Sequence, residues 1–246
     1  MSDTISAILL SRDLDALLGI CLERLATAAR EAGLAAEVLV VDNASQTPCP
    51  AELTGAPPYR LFRFDRHRGF GAACNHAARH ADGTFLLFLN NDVLLASTAL
   101  CGMRDGFRKH PQLVACGTRM VFPNRTIQHA GVVFGAGDIG PYHIHRKQPA
   151  GVVPRTDRLF QAVTGACLMV PREVFLGCGG FDERYPFGLE DIDLCLRLRQ
   201  QGGEIRCCQE TESLHFESLT PGRVELDRPS RTLFMKEWKG RYAIDG

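Results

Sequence analysis

Residues 85–92 read FLLFLNND, a continuous apolar run that ends in two amides and one carboxylate. An unbroken hydrophobic run of this length is typical of a parallel strand that is buried on both faces. Residues 38–41, VLVV, form a second run of the same kind, and Asp42 follows it directly. In open α/β sheets, ligands bind at the carboxyl ends of the strands. The sequence therefore predicts that Asp42 and Asp92 face one crevice.

Strand and helix patterns alternate through the first half of the chain. The hydrophobic periodicity predicts strands at 5–10, 38–41, 61–64 and 85–89, and helices at 14–33, 71–81 and 97–110. Such an alternation is typical of a parallel, doubly wound sheet with right-handed crossovers. We therefore predict an α/β fold, with a Rossmann-like, mostly parallel sheet flanked by helices.

The second half of the chain has longer loops rich in Gly, Pro and His. Apolar runs predict strands at 114–122, 131–134 and 162–170, and helices at 190–201 and 232–239. Residues 135–160 carry little periodicity and are interpreted as a mobile lid or an acceptor-facing loop. Three histidines of this half receive no role from the sequence: His129, His143 and His145.

The domain organisation follows from these patterns. We predict one main domain over residues 1–220 and a helical tail over 221–246, in which Trp238 packs onto the body. Ten cysteines are present, but no C-x-x-C pair occurs, and Cys207-Cys208 lie in a predicted strand with alternating faces. We interpret the cysteines as reduced thiols that pack as small hydrophobic residues.

The composition indicates a full core and no excess of charge. The chain has 246 residues, 45% of them hydrophobic, and its 28 Lys and Arg balance 28 Asp and Glu. This balance argues against a nucleic-acid partner. The N-terminus shows no secretory signal, and no apolar stretch approaches the roughly 20 residues that span a bilayer. We expect a cytoplasmic protein, with peripheral association at the inner face of the membrane left open.

Asp42 and Asp92 are two acidic stations, meaning carboxylates that are predicted to face the crevice. Glu190 and Asp191 form a third acidic station, at the start of the predicted helix 190–201. Acidic residues are common at helix N-termini whatever the function, because free backbone N–H groups favour ionised carboxylates there. Carboxylates gathered around one crevice also suit a divalent cation with phosphate oxygens, or general-base chemistry. The three stations together predict an enzyme that handles a nucleotide-activated substrate.

Six short motifs occur in order along the chain. They are VVDNAS at 40–45, RGF at 68–70 followed by Asn75, LNND at 89–92, TGACL at 164–168, GGFDE at 179–183 and EDIDLC at 190–195. Each motif alone is a weak signal, whereas six in this order and spacing are specific. Over residues 4–220 the chain resembles the inverting, rhamnosyltransferase-like glycosyltransferases of family 2, which have the GT-A fold.

This resemblance implies a transferase that moves a sugar from a UDP- or dTDP-linked donor to a hydroxyl of a glycan or lipid-linked acceptor. It implies that Asp191 is the base for the acceptor hydroxyl, and that Glu190 assists it. It assigns the donor and acceptor pocket to Gly165, Ala166 and Arg223. It implies nucleotide contacts from six residues: Ser11, Asp42, Asn43, Arg68, Asn75 and Asn91.

The resemblance also implies a Mg²⁺ or Mn²⁺ site formed by Asp92 and His215. Asn90-Asn91-Asp92 stands where the family commonly carries Asp-x-Asp, so the first carboxylate is missing. Mg²⁺ that is bound together with substrate phosphates needs only one or two protein carboxylates, so Asp92 can suffice. The alternative for these residues is a polar turn, and a turn-capping role is equally open for Asp42.

Two other functions remain open from the sequence. Residues 69–74, GFGAAC, imitate the dinucleotide fingerprint, which suggests an NAD(P)-dependent oxidoreductase. The missing first carboxylate of Asp-x-Asp suggests a catalytically silent sugar-nucleotide-binding module. A nucleotidyltransferase is disfavoured, because residues 11–14, SRDL, hold no glycine after the first strand.

Overall fold

A computed structural model describes residues 3–13, 15–137, 139–156, 158–217 and 223–246, and the side chains at 15, 16 and 223–227 lie outside this description. The helices are α1 (Asp15–Glu31), α2 (Phe70–Ala78), α3 (Ala99–Lys109), α4 (Arg172–Gly177), α5 (Glu190–Gln200) and α6 (Arg223–Trp238), and a 3-10 turn covers Ala150–Val152. In the part of the chain described here, no helix is both long enough and apolar enough to span a membrane.

Apart from β5, the strands of the first half of the chain are longer than most strands of the second half. They are β1 (Thr4–Ser11), β2 (Ala35–Asn43), β3 (Arg60–Phe64), β4 (Phe85–Asn90), β5 (Val93–Leu94), β6 (Leu113–Val121), β7 (Ile127–His129), β8 (Val132–Gly135), β9 (Gly140–His143), β10 (Leu159–Phe160), β11 (Cys167–Pro171) and β12 (Glu204–His215). β12 is the exception in the second half, because it has 12 residues, and it pairs with three other strands.

One mixed sheet forms the centre of the fold. Its strand order is β10-β12-β6-β11-β4-β1-β2-β3, with β5 paired to β12 and β7 paired to β6. The strands β3, β2, β1 and β4 are parallel, as the alternation of elements predicts. β11 is antiparallel to both of its neighbours, β4 and β6, whereas β6 and β12 are parallel. The predicted α/β fold with a mostly parallel sheet is confirmed.

Helices cover both faces of the sheet and create two apolar cores. Because side chains alternate along a strand, Leu87 of β4 packs in the core with α1 and α3, and Phe88 packs in the core with α2, α4 and α5. All ten cysteines lie within the described residues, and each is free. Cys207 belongs to one core and Cys208 borders the other, as predicted for a strand with alternating faces.

The structure differs from the sequence prediction between residues 135 and 160, where β9, the 3-10 turn and β10 occur. This segment is tied to β6 by Arg119, whose side chain is fully buried and donates to the carbonyl of Ala150 (2.8 Å). The same guanidinium lies 3.3 Å from the carboxylate of Glu212 on β12. Periodicity reports only local order, so contacts between such distant residues leave no trace in it.

Two element boundaries in the structure also differ from the predicted ones. The strand predicted at 162–170 begins only at Cys167, because residues 164–166 form a turn that is bonded to β4 through Asn90 N–H and Ala166 C=O (2.9 Å). The helix predicted at 232–239 begins earlier, as α6, at Arg223. The periodicity also missed α4, which is a helix of 6 residues.

α6 is fastened to α5 by a buried polar contact. The indole Nε1–H of Trp238 donates to Asp193 Oδ1 (2.8 Å), and Arg197 Nε–H donates to Asp193 Oδ2 (2.7 Å). A buried carboxylate is costly unless its oxygens are bonded, and here each oxygen has a donor. The residues after α6 contact β8, where Asp245 N–H donates to Phe134 C=O (3.1 Å).

The turn after β2 is closed by Asp42, whose side chain is 0% exposed. Its Oδ1 accepts from Ser45 N–H (2.8 Å), its Oδ2 accepts from Cys49 N–H (3.0 Å), and Arg63 pairs with the same carboxylate. Burial disfavours the charged form, but the hydrogen bonds and the charge of Arg63 outweigh it, so the pKa of Asp42 is lowered. The turn-capping alternative accounts for the contacts with Ser45 and Cys49, whereas Arg63 lies opposite Asp42 on β3.

We expect Asp42→Asn to lower the free energy of unfolding at pH 7 by about 1–3 kcal/mol, because an amide nitrogen cannot accept from a backbone N–H. A group with a lowered pKa stabilises the fold above its unfolded-state pKa, and this contribution is lost as the pH falls through the folded-state value. The difference between the two proteins should therefore shrink below about pH 4. Urea denaturation at several pH values measures it.

The matched control is Asp65→Asn, which changes an exposed carboxylate on the loop after β3. This variant should unfold like the parent protein at every pH. A stability loss in Asp42→Asn that stays constant down to about pH 3 would contradict the assignment of an ionised, bonded carboxylate.

Candidate active site

A cleft of about 710 Å³ opens where β1 and β4 end. This volume lies in the range of small-molecule sites. Part of its polar lining comes from the ends of β1 and β4, from the start of α5, and from residues 128–143: Ser11, Asn91, Asp92, Glu190, Asp191, Gln128 and His143. Two of the three predicted acidic stations therefore meet in one cleft, and the station at Asp42 lies outside it.

Asp92 and His215 are neighbours in the cleft. The antiparallel pairing of β5 with β12 sets His215 opposite Val93, and His215 Nε2 lies 3.3 Å from Asp92 Oδ1. Both side chains are buried, yet neither Asp92 Oδ1 nor His215 Nδ1 has a hydrogen-bond partner within the described ranges. Buried polar atoms normally have hydrogen-bond partners, so these two atoms are available to bind a ligand.

This pair fits a divalent cation that shares its ligands with a substrate. Carboxylate oxygen and imidazole nitrogen are both ligands for Mn²⁺, and Mg²⁺ prefers oxygen. Among the residues described, no group of three or more His, Cys, Asp or Glu surrounds one point. Bound Mg²⁺ or Mn²⁺ would therefore complete its coordination with phosphate oxygens and water.

The start of α5 presents the second acidic station. Gly188 and Leu189 have φ of +73° and +70°, so the chain enters the helix through two left-handed residues. This conformation is ordinary for Gly and strained for Leu. Directly afterwards, Glu190 is buried in the wall of the cleft, and Asp191 is half-buried. The helix therefore begins inside the cleft.

Asp191 is held by two backbone N–H groups. Gly165 N–H donates to its Oδ2 (2.6 Å), and Ile192 N–H donates to its Oδ1 (2.8 Å). Burial raises the pKa of Asp191 above its ordinary value, and these hydrogen bonds only partly offset the rise. A carboxylate with a raised pKa is a stronger base than an exposed one. The environment thus favours proton transfer at Asp191.

Gly165 is needed for this arrangement. A Cβ at this position would lie 3.1 Å from the Cβ of Asp191 and 3.5 Å from its Oδ2. Any side chain would therefore press on the carboxylate that the Gly165 N–H holds. Gly165 and Ala166 both line the cleft, where the sequence places the donor and acceptor pocket. The side chain of Arg223, the third residue predicted there, lies outside the described residues.

Three residues predicted to contact the nucleotide line the cleft, namely Ser11, Asn43 and Asn91. Asn91 Nδ2–H donates to Ser11 Oγ (3.2 Å), which links the ends of β4 and β1. The amide of Asn43 bonds both the N–H (2.9 Å) and the C=O (2.8 Å) of Arg68. These contacts fix the floor of the cleft and leave it polar.

Three other predicted nucleotide residues do not line the cleft: Asp42, Arg68 and Asn75. The guanidinium of Arg68 lies over the ring of Phe64, 4.2 Å from its centroid. Asn75 is buried, and its amide bonds the N–H and C=O of Phe181 (both 2.9 Å). Like Asp42, Asn75 therefore fixes a turn of the chain, in this case the one formed by the GGFDE motif.

Sequence reasoning missed the polar wall formed by Gln128, His143 and Glu217, all of which line the cleft. Gln128 lies on β7 and His143 on β9, two strands that periodicity does not reveal. Their proximity depends on pairing between distant segments. A cluster of unassigned histidines is the only signal of this wall in the sequence.

The glycines of residues 69–74 have a packing role. A Cβ on Gly71 would lie 2.9 Å from the Cβ of Phe181, and one on Gly69 would lie 3.3 Å from the carbonyl oxygen of Pro186. The segment that contains Phe181 and Pro186 therefore covers the start of α2. A dinucleotide fold leaves this helix N-terminus open to the pyrophosphate, so the geometry disfavours the oxidoreductase alternative.

The family model and the relatives that match this chain agree on one family. A model of glycosyl transferase family 2 matches residues 15–168, more than half of the chain. The O-antigen biosynthesis protein RfbC of Myxococcus xanthus is 35% identical over 193 residues, which cover 75% of this chain and 15% of that protein. The N-acetylglucosaminyl-diphospho-decaprenol L-rhamnosyltransferase of Mycobacterium tuberculosis is 26% identical over 211 residues, which cover 76% of this chain and 68% of that enzyme.

A solved structure supports the fold independently. The mannosyltransferase PcManGT from Pyrobaculum calidifontis, in complex with GDP-Man and Mn²⁺, has a TM-score of 0.70 and 17% identity, over 100% of this chain and 66% of that one. At this identity the likeness concerns the fold alone, which is the GT-A fold. The chain spans only a small part of the Myxococcus protein. The family model and the relatives together show that this chain belongs to glycosyl transferase family 2.

Proposed function

We propose that this chain is an inverting glycosyltransferase that uses a UDP- or dTDP-linked sugar and a hydroxyl of a glycan or lipid-linked acceptor. The observation that carries the proposal is the half-buried Asp191, held by Gly165 N–H in the same cleft as Asp92. The mycobacterial relative is named for a lipid-linked acceptor, and the Myxococcus relative for O-antigen biosynthesis. A lipid-linked acceptor would bring the protein to a membrane surface.

Asp191 supplies the base in this proposal. The acceptor hydroxyl transfers its proton to a carboxylate oxygen of Asp191, while its own oxygen forms the bond to the anomeric carbon. The bond from that carbon to the diphosphate oxygen breaks on the opposite face, and its electron pair leaves with the nucleoside diphosphate. One displacement of this kind inverts the anomeric centre. Glu190, which is buried beside the base, helps to position the acceptor.

The end of the cleft at Asp92 holds the diphosphate. Asp92 and His215 would bind Mg²⁺ or Mn²⁺, which stabilises the negative charge that develops on the leaving diphosphate. The structural neighbour is complexed with GDP-Man and Mn²⁺, which is consistent with such a site. Ser11, Asn43 and Asn91 present hydroxyl and amide groups to the nucleotide. Asp42 supports this region through its turn.

The proposal predicts that Asp191→Asn greatly slows transfer and leaves nucleotide binding intact. The amide keeps the size of the carboxylate but cannot accept the proton, so kcat should fall by a factor of about 100 to 10,000. Transfer is assayed with dTDP-L-rhamnose as donor and a synthetic lipid-linked N-acetylglucosaminyl diphosphate as acceptor, and nucleotide binding by calorimetry with dTDP and Mn²⁺.

Glu173→Gln serves as the matched control, because Glu173 lies on α4 with its side chain 86% exposed. It should turn over like the parent protein. Undiminished turnover in Asp191→Asn would refute its role as the base. A parent protein that transfers no sugar from UDP- or dTDP-linked donors would refute the donor class.

The metal assignment predicts a specific loss in Asp92→Ala. In the parent protein, Mn²⁺ should add to the rise in melting temperature that UDP alone produces, because ligands that bind the native state stabilise it. Asp92→Ala should retain the rise with UDP alone and lose the Mn²⁺-dependent increment. Thermal unfolding with UDP, with Mn²⁺ and with both measures each part.

Asp65→Asn again provides the control, since it removes an exposed carboxylate elsewhere on the surface. Its response to UDP and Mn²⁺ should match that of the parent protein. An undiminished Mn²⁺ increment in Asp92→Ala would show that the cation binds elsewhere.

A further inference from the structure

Gln128 and His143 line the cleft and take no part in the proposed proton transfer or cation binding. Gln128 is 2% exposed, and His143 is partly exposed. Both lie on short strands of the segment that the sequence leaves without a role. Their hydrogen bonds determine which of their atoms are donors and which are acceptors.

The contact of His143 Nδ1 with a backbone carbonyl favours one tautomer. Its Nδ1 lies 3.1 Å from the backbone carbonyl of Gln128, and a carbonyl oxygen can only accept. In the tautomer that this contact favours, the hydrogen of the neutral ring is on Nδ1 and donates to the carbonyl, and Nε2 carries a lone pair. His129, which is fully buried, lies behind the ring with its Nδ1 3.1 Å from His143 Nδ1. This contact holds the orientation of the His143 ring.

The charge state of His143 agrees with this tautomer. Burial lowers the pKa of His143 to about 4, and the positive charge of Arg146 contributes in the same direction. The imidazole is therefore neutral at pH 7, and its Nε2 accepts hydrogen bonds. A charged imidazole would instead present a donor at this point of the cleft.

The amide of Gln128 is oriented by the same kind of constraint. Its Nε2–H donates to Glu217 Oε2 (3.1 Å), and an ionised carboxylate can only accept. Arg146 donates to both oxygens of Glu217 (3.1 and 2.9 Å), which keeps that carboxylate in place. Gln128 Oε1 is consequently directed away from Glu217, and it has no hydrogen-bond partner in the described part of the chain.

We propose that His143 Nε2 and Gln128 Oε1 form a two-acceptor site that binds hydroxyl hydrogens of the transferred sugar and so selects the donor. Sugar hydroxyls are the donors that such a pair of acceptors requires. The inference rests on the proposed function of the cleft. A site built around buried polar groups discriminates against a substrate that leaves them unpaired.

The position of this site favours the transferred sugar over the acceptor. Glu217, which orients Gln128, stands two residues after His215 on the chain. Gln128, His143, Glu217 and His215 all line the same cleft, and Gln128 is bonded to Glu217. The two acceptors therefore lie on the side of the cleft that would hold the diphosphate, and the transferred sugar is attached there.

The test compares nucleotide binding with sugar-nucleotide binding in two variants of one residue. His143→Asn retains a donor for the Gln128 carbonyl but does not reach the Nε2 position, whereas His143→Gln reaches that position with an acceptor oxygen. Calorimetry with Mn²⁺ measures Kd for dTDP, dTDP-L-rhamnose, UDP, UDP-glucose and UDP-galactose, the last two differing only at one hydroxyl.

We expect His143→Asn to weaken the best sugar nucleotide of this panel by about tenfold, and to leave Kd for the free nucleoside diphosphate within about twofold. The discrimination between UDP-glucose and UDP-galactose should also fall. His143→Gln should recover at least part of the sugar affinity. Gln128→Met, which removes the second acceptor, should reproduce the pattern of His143→Asn.

Three outcomes would overturn the inference. Equal weakening of diphosphate and sugar nucleotide would indicate a structural role or a nucleotide contact. Unchanged sugar affinity in both His143→Asn and Gln128→Met would remove the proposed site. In the transfer assay, a change confined to KM for the acceptor would assign these residues to the acceptor instead. If the parent protein binds no sugar nucleotide at all, the proposed function fails first, and that result is visible before any variant is made.

Discussion

The hydrogen bond from Gly165 N–H to Asp191 is the contact on which the active cleft depends. The turn that contains Gly165 is also bonded to the end of β4, through Asn90 N–H and Ala166 C=O. A single turn therefore sets the distance between the acidic station at Asp92 and the one at Asp191. It can do so because β11 begins where β4 ends, and because Gly165 has no side chain to separate the two.

Charge in and around the cleft follows a consistent pattern. Buried carboxylates that fix the chain are paired with arginines: Asp42 with Arg63, Asp193 with Arg197 and Glu217 with Arg146. Asp191 is instead held by neutral backbone N–H groups, and Asp92 lies beside an imidazole. Buried charges are tolerated when they are paired, which accounts for the arginine partners of the first group.

The sequence predicts the first half of the fold well, because buried parallel strands such as Phe85–Asn90 are short apolar runs that periodicity detects. It also predicts that Asp92 and Asp191 belong to the site, since each follows or begins a recognisable element. Motif position alone could not separate Asp42 and Asn75 from cleft residues, because their hydrogen-bond partners decide their role. Gln128 and His143 escaped prediction because only strand pairing brings them to the cleft.

The antiparallel direction of β11 has a consequence for the order in which the protein can mature during synthesis. Because this strand enters the sheet between β4 and β6, the parallel half made first can form its layers but not a complete cleft. Residues 164–166 and the start of α5 must leave the ribosome before Asp92 gains its counterpart. Domains fold in the order of their synthesis where contacts are local, and this cleft is assembled from distant ones. The core between the sheet and helices α1 and α3 can therefore begin to form before the cleft does, whereas the core that includes α4 and α5 forms together with the cleft.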